Sequence, residues 1–315
     1  MIQSTRALQI FIAVAEELHF RKAAERLHMT QPPLSMQIKQ LEKWIGVDLL
    51  SRTTRSVQLT PAGKELQQRA TRLLAEFEEM AEAVRRVGRG DVGSLSLGFP
   101  ASTMFDILPN LLAIQQNRYP QVALNLKESP SPELLESLRA RELDVALVRT
   151  SPLSMEPDLE YILAARESMV VALPSSHPLA RLDTIPIQRL NRIPLIGFAA
   201  KGSRYFQELV RQIFEAHQLQ PLIVHESVVP TILALVEAGL GLAIVPASMA
   251  TLKTTELTYR PLSGAHGLDI STLYCVWRRA DCTPVVKNFA EIVSRSDMAA
   301  AVKLLPRMES GPPPS

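Results

Sequence analysis

Gln31, Ser35, Gln37, Lys39 and Lys43 fall within one short stretch, QPPLSMQIKQLEKWI, where Leu34, Ile38, Leu41 and Ile45 recur at helical spacing. With those apolar residues inward, the opposite stripe holds Pro32, Met36, Lys39 and Lys43, flanked by Gln31, Ser35 and Gln37. Amides and a hydroxyl at the N-terminal end of such a helix can reach base edges in a major groove, while lysines farther along meet phosphates. The plainer reading is an ordinary helical hairpin.

A second set of side chains suits a small anion. Ser102 and Thr103 follow an apolar run ending in GFP and are expected to open a helix. Ser131 repeats that arrangement, and Ser203 with Arg204, in KGSRYFQ, stands at a third helix start. Free backbone N–H groups and the helix dipole favour negative charge at such places, and Arg204 can grip a carboxylate with two parallel hydrogen bonds. Phe206 offers a ring face, and Val229 heads a further helix beside the same expected cleft. Arg149, closing DVALVR, reads equally as a ligand contact and as a salt bridge between lobes. Serines at helix starts are also ordinary caps, and Phe206 is equally a core residue.

Catalytic and metal chemistry find no convergent set, so no catalytic residue, metal or cofactor is expected. GLGLAI has Ile244 where a dinucleotide fingerprint wants its third glycine, and no GxSxG, HExxH or Walker sequence occurs. His225-Glu226 is the nearest approach to a metal pair among six scattered histidines, and a surface or core histidine is the better reading. Cys275 and Cys282 are the only cysteines, too far apart for a CxxC motif and too few for a disulfide scaffold.

The first set needs a helix-turn-helix. Leu8, Phe11, Ile12 and Ala15 fit a first amphipathic helix; Ala23, Ala24 and Leu27 give the second a small-residue surface that lets the third cross closely. Between them Thr30 can cap, and Pro32 and Pro33 occupy first-turn positions where a missing N–H costs little. LLSRTTRSVQLT then turns to a β-like pattern, a short two-stranded wing. Arg52, Thr53 and Arg55 near its tip, with Arg21 on the second helix, would add contacts to the DNA backbone or minor groove. Thr60-Pro61 starts a long helix in which Leu66, Ala70, Leu73, Phe77, Met80, Val84 and Val87 alternate at gaps of four and three. A seam of this kind suits a dimerising helix on the order of 40 Å long; the alternative is a helix lying on its own domain's core.

After the glycine-rich break at 88–93 the texture is α/β, with strands at 94–99, 122–127 and 144–149 and helices around 107–118 and 132–139. A second set follows: strands at 169–174, 194–198, 221–226 and 241–246 with helices at 204–217 and 231–237. A last strand, ISTLYCVWRR, and a helix near 285–293 return the chain, leaving a cleft between two lobes. The tail LLPRMESGPPPS is proline-rich and reads as disordered.

Length and composition set outer bounds. At 315 residues, 46% hydrophobic and 21% charged, the chain reads as a soluble globular protein of at least two domains. No run is apolar enough for a membrane span, and Glu16 and Glu17 break the apolar N-terminus where a secretory signal would run, so the cytoplasm is expected. Residues 1–90 hold 14 Lys and Arg against 10 Asp and Glu, making this part +4 and the remainder −2 within a whole-chain charge of +2. A basic module joined to a neutral one fits a DNA-binding switch and also a nucleoid-organising protein; the two-lobed half alone would fit a solute-binding protein for transport.

The segment AAERLHMTQPPLSMQIKQLEKWIGVDLLSRTTRSVQLTPAG closely resembles the signature of the LysR-type transcriptional regulators, and the second half resembles their periplasmic-binding-protein-like effector domain. The likeness spans nearly the whole chain, and its first 65 residues are its most specific part. Gln31, Pro32, Ser35, Gln37, Lys39, Arg52 and Arg55 match the pattern, whereas Met36 stands where arginine is more frequent. The resemblance implies an α/β protein with a winged helix-turn-helix at 1–60, a linker and dimerisation helix with hinge at 61–91, and an effector domain at 92–297. That domain would comprise two Rossmann-like subdomains, 92–162 with 267–297 and 163–266, followed by a tail at 298–315. It further implies a homotetramer, a dimer of dimers that bends double-stranded promoter DNA, takes a small effector and touches no membrane; RNA polymerase is a partner such a regulator admits. PPLS, GFPAS, DVALVR and EAGLGLAIVPAS are most similar to members sensing carboxylates of aromatic catabolism, which implies an anionic organic acid.

Overall fold

The structure, a computed structural model, describes residues 5–52, 56–151, 155–251, 256–265, 267–296 and 302–303, and the chain divides into two compact units, Met1–Arg86 and Val87–Ser315. The first unit begins with α1 (Thr5–Glu17), α2 (Phe20–Arg26) and α3 (Gln31–Ile45). Phe11 and Val14 of α1, Ala23 and Ala24 of α2, and Leu34, Ile38 and Leu41 of α3 are buried in one cluster. Methyl-sized side chains on α2 let α3 approach it closely, and that contact sets the rotation of α3.

Thr30 precedes α3 as expected, yet its side chain makes no capping hydrogen bond. Pro32 and Pro33 have no N–H to satisfy, so two of the first-turn donors that a cap would serve are absent. Helix α2, by contrast, does receive a side-chain cap, the His19 imidazole accepting from the Lys22 N–H at 3.3 Å. Beyond α3 the wing forms from β1 (Leu50–Arg52) and β2 (Val57–Leu59), antiparallel with Leu50 opposite Leu59. Thr53 and Arg55, expected at its tip, lie outside the described residues.

The long helix α4 (Pro61–Arg89) is capped by Thr60, whose hydroxyl accepts from the Gly63 N–H at 3.0 Å and donates to the Asp48 carbonyl at 2.8 Å. Its expected seam divides in two. Ala70 is buried and Leu66 partly buried against the unit's own three-helix core, so these two residues are corrected from dimer seam to core. Only the first turns of α4 lie over that core. Leu73, Phe77, Met80, Val84 and Val87 continue the pattern at 49% to 68% exposure.

In the second unit β3 (Val92–Phe99), α5 (Ile107–Arg118), β4 (Gln121–Glu128), α6 (Ser131–Arg139), β5 (Val145–Val148) and β6 (Leu159–Pro174) follow in order. Then come β7 (Ile185–Pro186), β8 (Pro194–Phe198), α7 (Ala200–Ala216), β9 (Leu222–Ser227), α8 (Val229–Glu237), β10 (Ala243–Pro246), β11 (Leu257–Ser263), β12 (Ile270–Arg278), α9 (Pro284–Arg295) and β13 (Val302–Lys303). The main sheet runs β4-β3-β5-β12-β6-β11-β7, with β10 and β13 also paired to β6. Strand β6 is the shared element: Leu159–Ser168 pairs with β12, and Met169–Pro174 pairs with β10 and β11. One apolar core, with Leu97, Leu111, Leu147 and Phe289, lies on the first side of that change of partners; another, with Val171, Phe198, Phe214 and Ile232, lies on the second.

The strand expected from residue 169 therefore begins ten residues earlier, at Leu159, and passes unbroken through the implied lobe border at 162/163. Glu160, Arg166 and Glu167 interrupt its apolar pattern in sequence: Glu160 pairs with Arg279, Glu167 with Arg149, and Arg166 is exposed. Ser102 and Thr103 open only a three-residue 3-10 turn, Ala101–Thr103, four residues ahead of α5. Helix α7 starts before its expected residue 204, with a kink of non-helical backbone at Lys201, Gly202 and Ser203.

At Gly63 in the first turn of α4, a Cβ would stand 2.1 Å from the Leu49 carbonyl oxygen. Overpacking against backbone has little room to relax. Gly63→Ala is expected to destabilise the N-terminal unit by about 2 kcal/mol or more. The chain has two tryptophans, so in a Trp277→Phe background Trp44 fluorescence reports this unit alone during urea unfolding. An unchanged midpoint would contradict the close approach.

Candidate functional site

The exposed face of α3 follows from the three residues it buries. Leu34, Ile38 and Leu41 are each at most 1% exposed. Gln31, Pro32, Met36, Lys39, Gln40 and Lys43 are correspondingly exposed, and Ser35 and Gln37 flank them half-buried. The polar tip is free, as its spacing suggested.

Other residues expected to join this face are engaged within the chain. Arg21 on α2 pairs with Glu25 one turn later at 3.0 Å, both in solvent. Arg52 donates to Glu42 at 2.8 Å, and its guanidinium lies 5.0 Å from the Phe20 ring centroid. The other Glu42 oxygen accepts the Leu49 and Leu50 N–H groups at 3.1 and 3.2 Å. Arg52 thus anchors the wing to α2 and α3, with its guanidinium turned toward Glu42. Glu42, which locks the turn from reading helix to wing, was not singled out in sequence; its only signal is a carboxylate one turn before the helix ends. An open depression of about 810 Å³ beside it is lined by Lys39, Lys43, Val47, Asp48 and Arg52 among others.

In the C-terminal unit the expected ligand residues converge on Arg149, which is 5% exposed. Its Nε donates to Ser102 Oγ at 3.0 Å, Nη1 to Ser271 Oγ at 2.8 Å and Nη2 to Glu167 Oε1. Its backbone N–H donates to Ser131 Oγ at 3.0 Å, and its guanidinium sits 4.8 Å from the Phe206 ring centroid. The second Glu167 oxygen accepts the Ser248 N–H at 3.0 Å. Arg149 forms a buried salt bridge with Glu167, with Ser102 and Ser131 as further partners, and it also lines the cavity beside α6. Phe206 is both core and wall: it stacks on Phe198 at 5.0 Å while its other face covers the arginine. Glu167, Ser271 and Ser248 were missed; an acid inside the apolar run ILAARESMVVALP was the available signal.

The remaining expected residues part company. Thr103 Oγ1 donates to the Pro100 carbonyl at 2.8 Å and closes its own turn. Val229 is buried in the second core. Ser203 is half-buried in the α7 kink and Arg204 is exposed. The starts of α6 and α7 face each other, since a Cβ on Gly202 would lie 3.9 Å from Pro130 Cγ. Along α6 a cavity of about 230 Å³ is lined by Ser131, Pro132, Leu135, Glu136, Arg139, Arg149 and Thr150. Two further bonds cross between the lobes: the Thr272 N–H donates to Tyr205 Oη at 2.9 Å, and Thr251 Oγ1 donates to the Phe105 carbonyl at 3.0 Å.

Groups that resemble catalytic ones are committed elsewhere. Lys127 Nζ donates to both Ser137 Oγ, at 2.8 Å, and Glu142, at 2.9 Å, and Ser137 Oγ in turn donates to Glu142 at 3.0 Å, which closes a three-membered network. The hydrogen bond from Lys127, aided by one from Ser137, holds the Glu142 carboxyl below the usual carboxylate range. Burial pushes the Cys275 thiol well above its ordinary range, so it does not form the thiolate a nucleophile needs. Among the described residues no three His, Cys, Asp or Glu side chains gather where a metal could be held, and no helix is long and apolar enough to cross a membrane.

Removing one member of a buried ion pair strands the other charge. Glu167→Ala is expected to destabilise the C-terminal unit by roughly 3–5 kcal/mol, and Arg149→Met/Glu167→Ala by less than the sum of the two single changes. Guanidinium denaturation of the four chains checks both statements; strict additivity would mean that the pair is not coupled.

Residues 5–64 match the model of the bacterial regulatory helix-turn-helix protein, lysR family, and residues 88–297 match the LysR substrate binding domain. The HTH-type transcriptional regulator AlsR of Bacillus subtilis (strain 168) is 35% identical over 289 residues, covering 91% of this chain and 94% of its own. Among solved structures, CbnR, a LysR family transcriptional regulator, aligns at 30% identity with a TM-score of 0.78 over 92% of this chain and 100% of that one. Full-length CbnR complexed with its target DNA aligns at 30% identity with a TM-score of 0.71 over 93% and 99%.

Proposed function

Because the chain belongs to the LysR family of bacterial transcriptional regulators, we propose that its α3 reads promoter DNA and that its C-terminal unit sets when it does so. The observation that carries this is the rotation of α3, which leaves Gln31, Lys39 and Lys43 in solvent while Leu34, Ile38 and Leu41 are buried. Gln31, Ser35 and Gln37 contact base edges, Lys39 and Lys43 meet phosphates, and the wing follows the backbone. Arg52 contributes by holding the wing in place, and no catalytic step is assigned.

The stripe from Leu73 to Val87 pairs with its counterpart in a second copy, which sets two α3 helices on successive major grooves about 34 Å apart. Two such dimers form a tetramer that bends its operator. Burying five large apolar side chains answers the exposure that the single chain leaves. A nucleoid-organising protein would have no use for the cleft, and a transport protein none for α1 to α3.

The effector is a small organic anion held between the starts of α6 and α7. Free N–H groups at those starts, with Ser131, Thr150, Ser203 and Arg204, supply the donors. Arg149 is neutralised by Glu167, so it shapes the floor and Arg204 provides the free positive charge. The ligand re-angles the lobes, and it acts only as far as it binds one arrangement more tightly than the other.

Two experiments follow. Gln31→Ala or Ser35→Ala is expected to reduce discrimination among operator variants by roughly 1–3 kcal/mol per lost base contact, whereas Lys39→Ala weakens binding to all sequences alike. Unchanged preference after both former changes, read by footprinting, removes α3 as the reading helix. Arg204→Ala is expected to abolish the rise in Tm given by a carboxylate effector found in a library screen, leaving DNA affinity in its absence unaltered. A retained rise would place the acid elsewhere.

A further inference from the structure

Met36 is the one large apolar side chain in the middle of the α3 face assigned to DNA, and it is 54% exposed. Its position is not loose. Two residues on either side, Leu34 and Ile38 are fully buried, and two residues along a helix turn through about 200°. Met36 therefore points directly away from the core, unlike Met29, which packs partly buried against it. Lys39 and Lys43 stand exposed one and two turns farther along, and Gln31 and Pro32 one turn before. The nearby acid Glu42 is turned inward onto Arg52.

An apolar group inside a cationic frame suits a polyanion that carries an apolar feature of its own. The major groove has one such feature among its base edges, the C5-methyl of thymine; all other groups there are hydrogen-bond donors and acceptors. Resting on the reading of α3 as the DNA helix, we propose that Met36 is a specificity residue whose thioether packs on a thymine methyl, so that each operator half-site carries a thymine beneath the centre of α3. Gln31 and Ser35, nearer the helix start, then read neighbouring positions by hydrogen bonds. A thioether with three rotatable bonds follows the methyl without a fixed donor geometry, and contributes discrimination between thymine and cytosine that lysines on phosphates cannot supply.

The test uses the full-length chain and a duplex that it selects from a random pool. Each thymine of the selected half-site is replaced in turn by deoxyuridine, which keeps every hydrogen bond and lacks only the methyl. One replacement is expected to weaken the wild-type chain roughly four-fold, about what burying a single methyl-sized group is worth. Met36→Ala, at an exposed position where folding is not at stake, binds more weakly and no longer distinguishes thymine from deoxyuridine there; Met36→Leu restores the distinction. Equal binding of both duplexes by the wild-type chain, or a difference that persists in Met36→Ala, overturns the inference while leaving α3 as the reading helix. A pool that yields no preferred sequence, or one whose selected duplex is indifferent to Gln31→Ala and Ser35→Ala, overturns the reading of α3 and this inference together.

Discussion

A guanidinium buried to 5% exposure must find all its partners or the unit does not close. Arg149, at the end of β5, meets Ser102 after β3, Ser131 at the start of α6, Glu167 in β6, Ser271 in β12 and the Phe206 ring of α7. Each partner comes from a different element, so satisfying this one residue, through its guanidinium and its backbone N–H, aligns the elements around it. A well-packed apolar cluster there would hold the elements with comparable free energy. The ion pair differs in being satisfied by one arrangement of them, because hydrogen bonds have direction and apolar contact does not.

The N-terminal unit reaches definition by the opposite route, with small residues. Ala23 and Ala24 allow α3 to settle against α2, and everything on the outer face follows from that rotation. Glu42 then ties the end of α3 to the first wing strand through two backbone N–H groups and Arg52. Helix α4 serves two purposes along one periodicity: its first turns complete this core through Leu66, Ala70 and Leu74, and the same stripe continues outward into solvent. A heptad repeat records that a face is apolar, not what covers it, which is why the seam read from spacing had to be divided.

The elements that sequence reading placed well are those governed by local pattern: α1 to α3, the wing, α4, and the strand-helix alternation after residue 92. The polar tip of α3 was legible for the same reason, since the burial of Leu34, Ile38 and Leu41 dictates what remains outside. What escaped was non-local. Glu167 lies 18 residues from Arg149 and Ser271 lies 122 residues away, and no periodicity announces such partners. Strand β6 was read short because a strand that joins two cores carries polar residues where it changes neighbours. Ser102 and Ser131 were expected at helix starts for a sound electrostatic reason, yet Ser102 meets the guanidinium of Arg149 and Ser131 the backbone N–H of the same residue.

That last point bears on how a ligand could switch the molecule. To carry a two-state equilibrium from 1:99 to 99:1, a ligand must favour one state by about 5.5 kcal/mol. If re-angling the lobes required breaking the Arg149–Glu167 pair, the cost would absorb most of what a small acid can supply. The geometry avoids this. Arg149, Ser102, Ser131 and Ser271 belong to the lobe built on β3, β5 and β12, and Glu167 lies in the part of β6 paired with β12. Across to the other lobe run weaker ties: the Phe206 ring face, the Ser248 N–H, the Tyr205–Thr272 bond and the Thr251–Phe105 bond. A cation over an aromatic ring contributes about 0.5–2 kcal/mol, a neutral hydrogen bond about 0.5–1.5 kcal/mol net, and one to a carboxylate such as that of the Ser248 N–H about 1.5–3 kcal/mol. Lobe motion can therefore exchange several such contacts while the buried charges stay paired, and each contact exchanged is small beside the cost of separating Arg149 from Glu167.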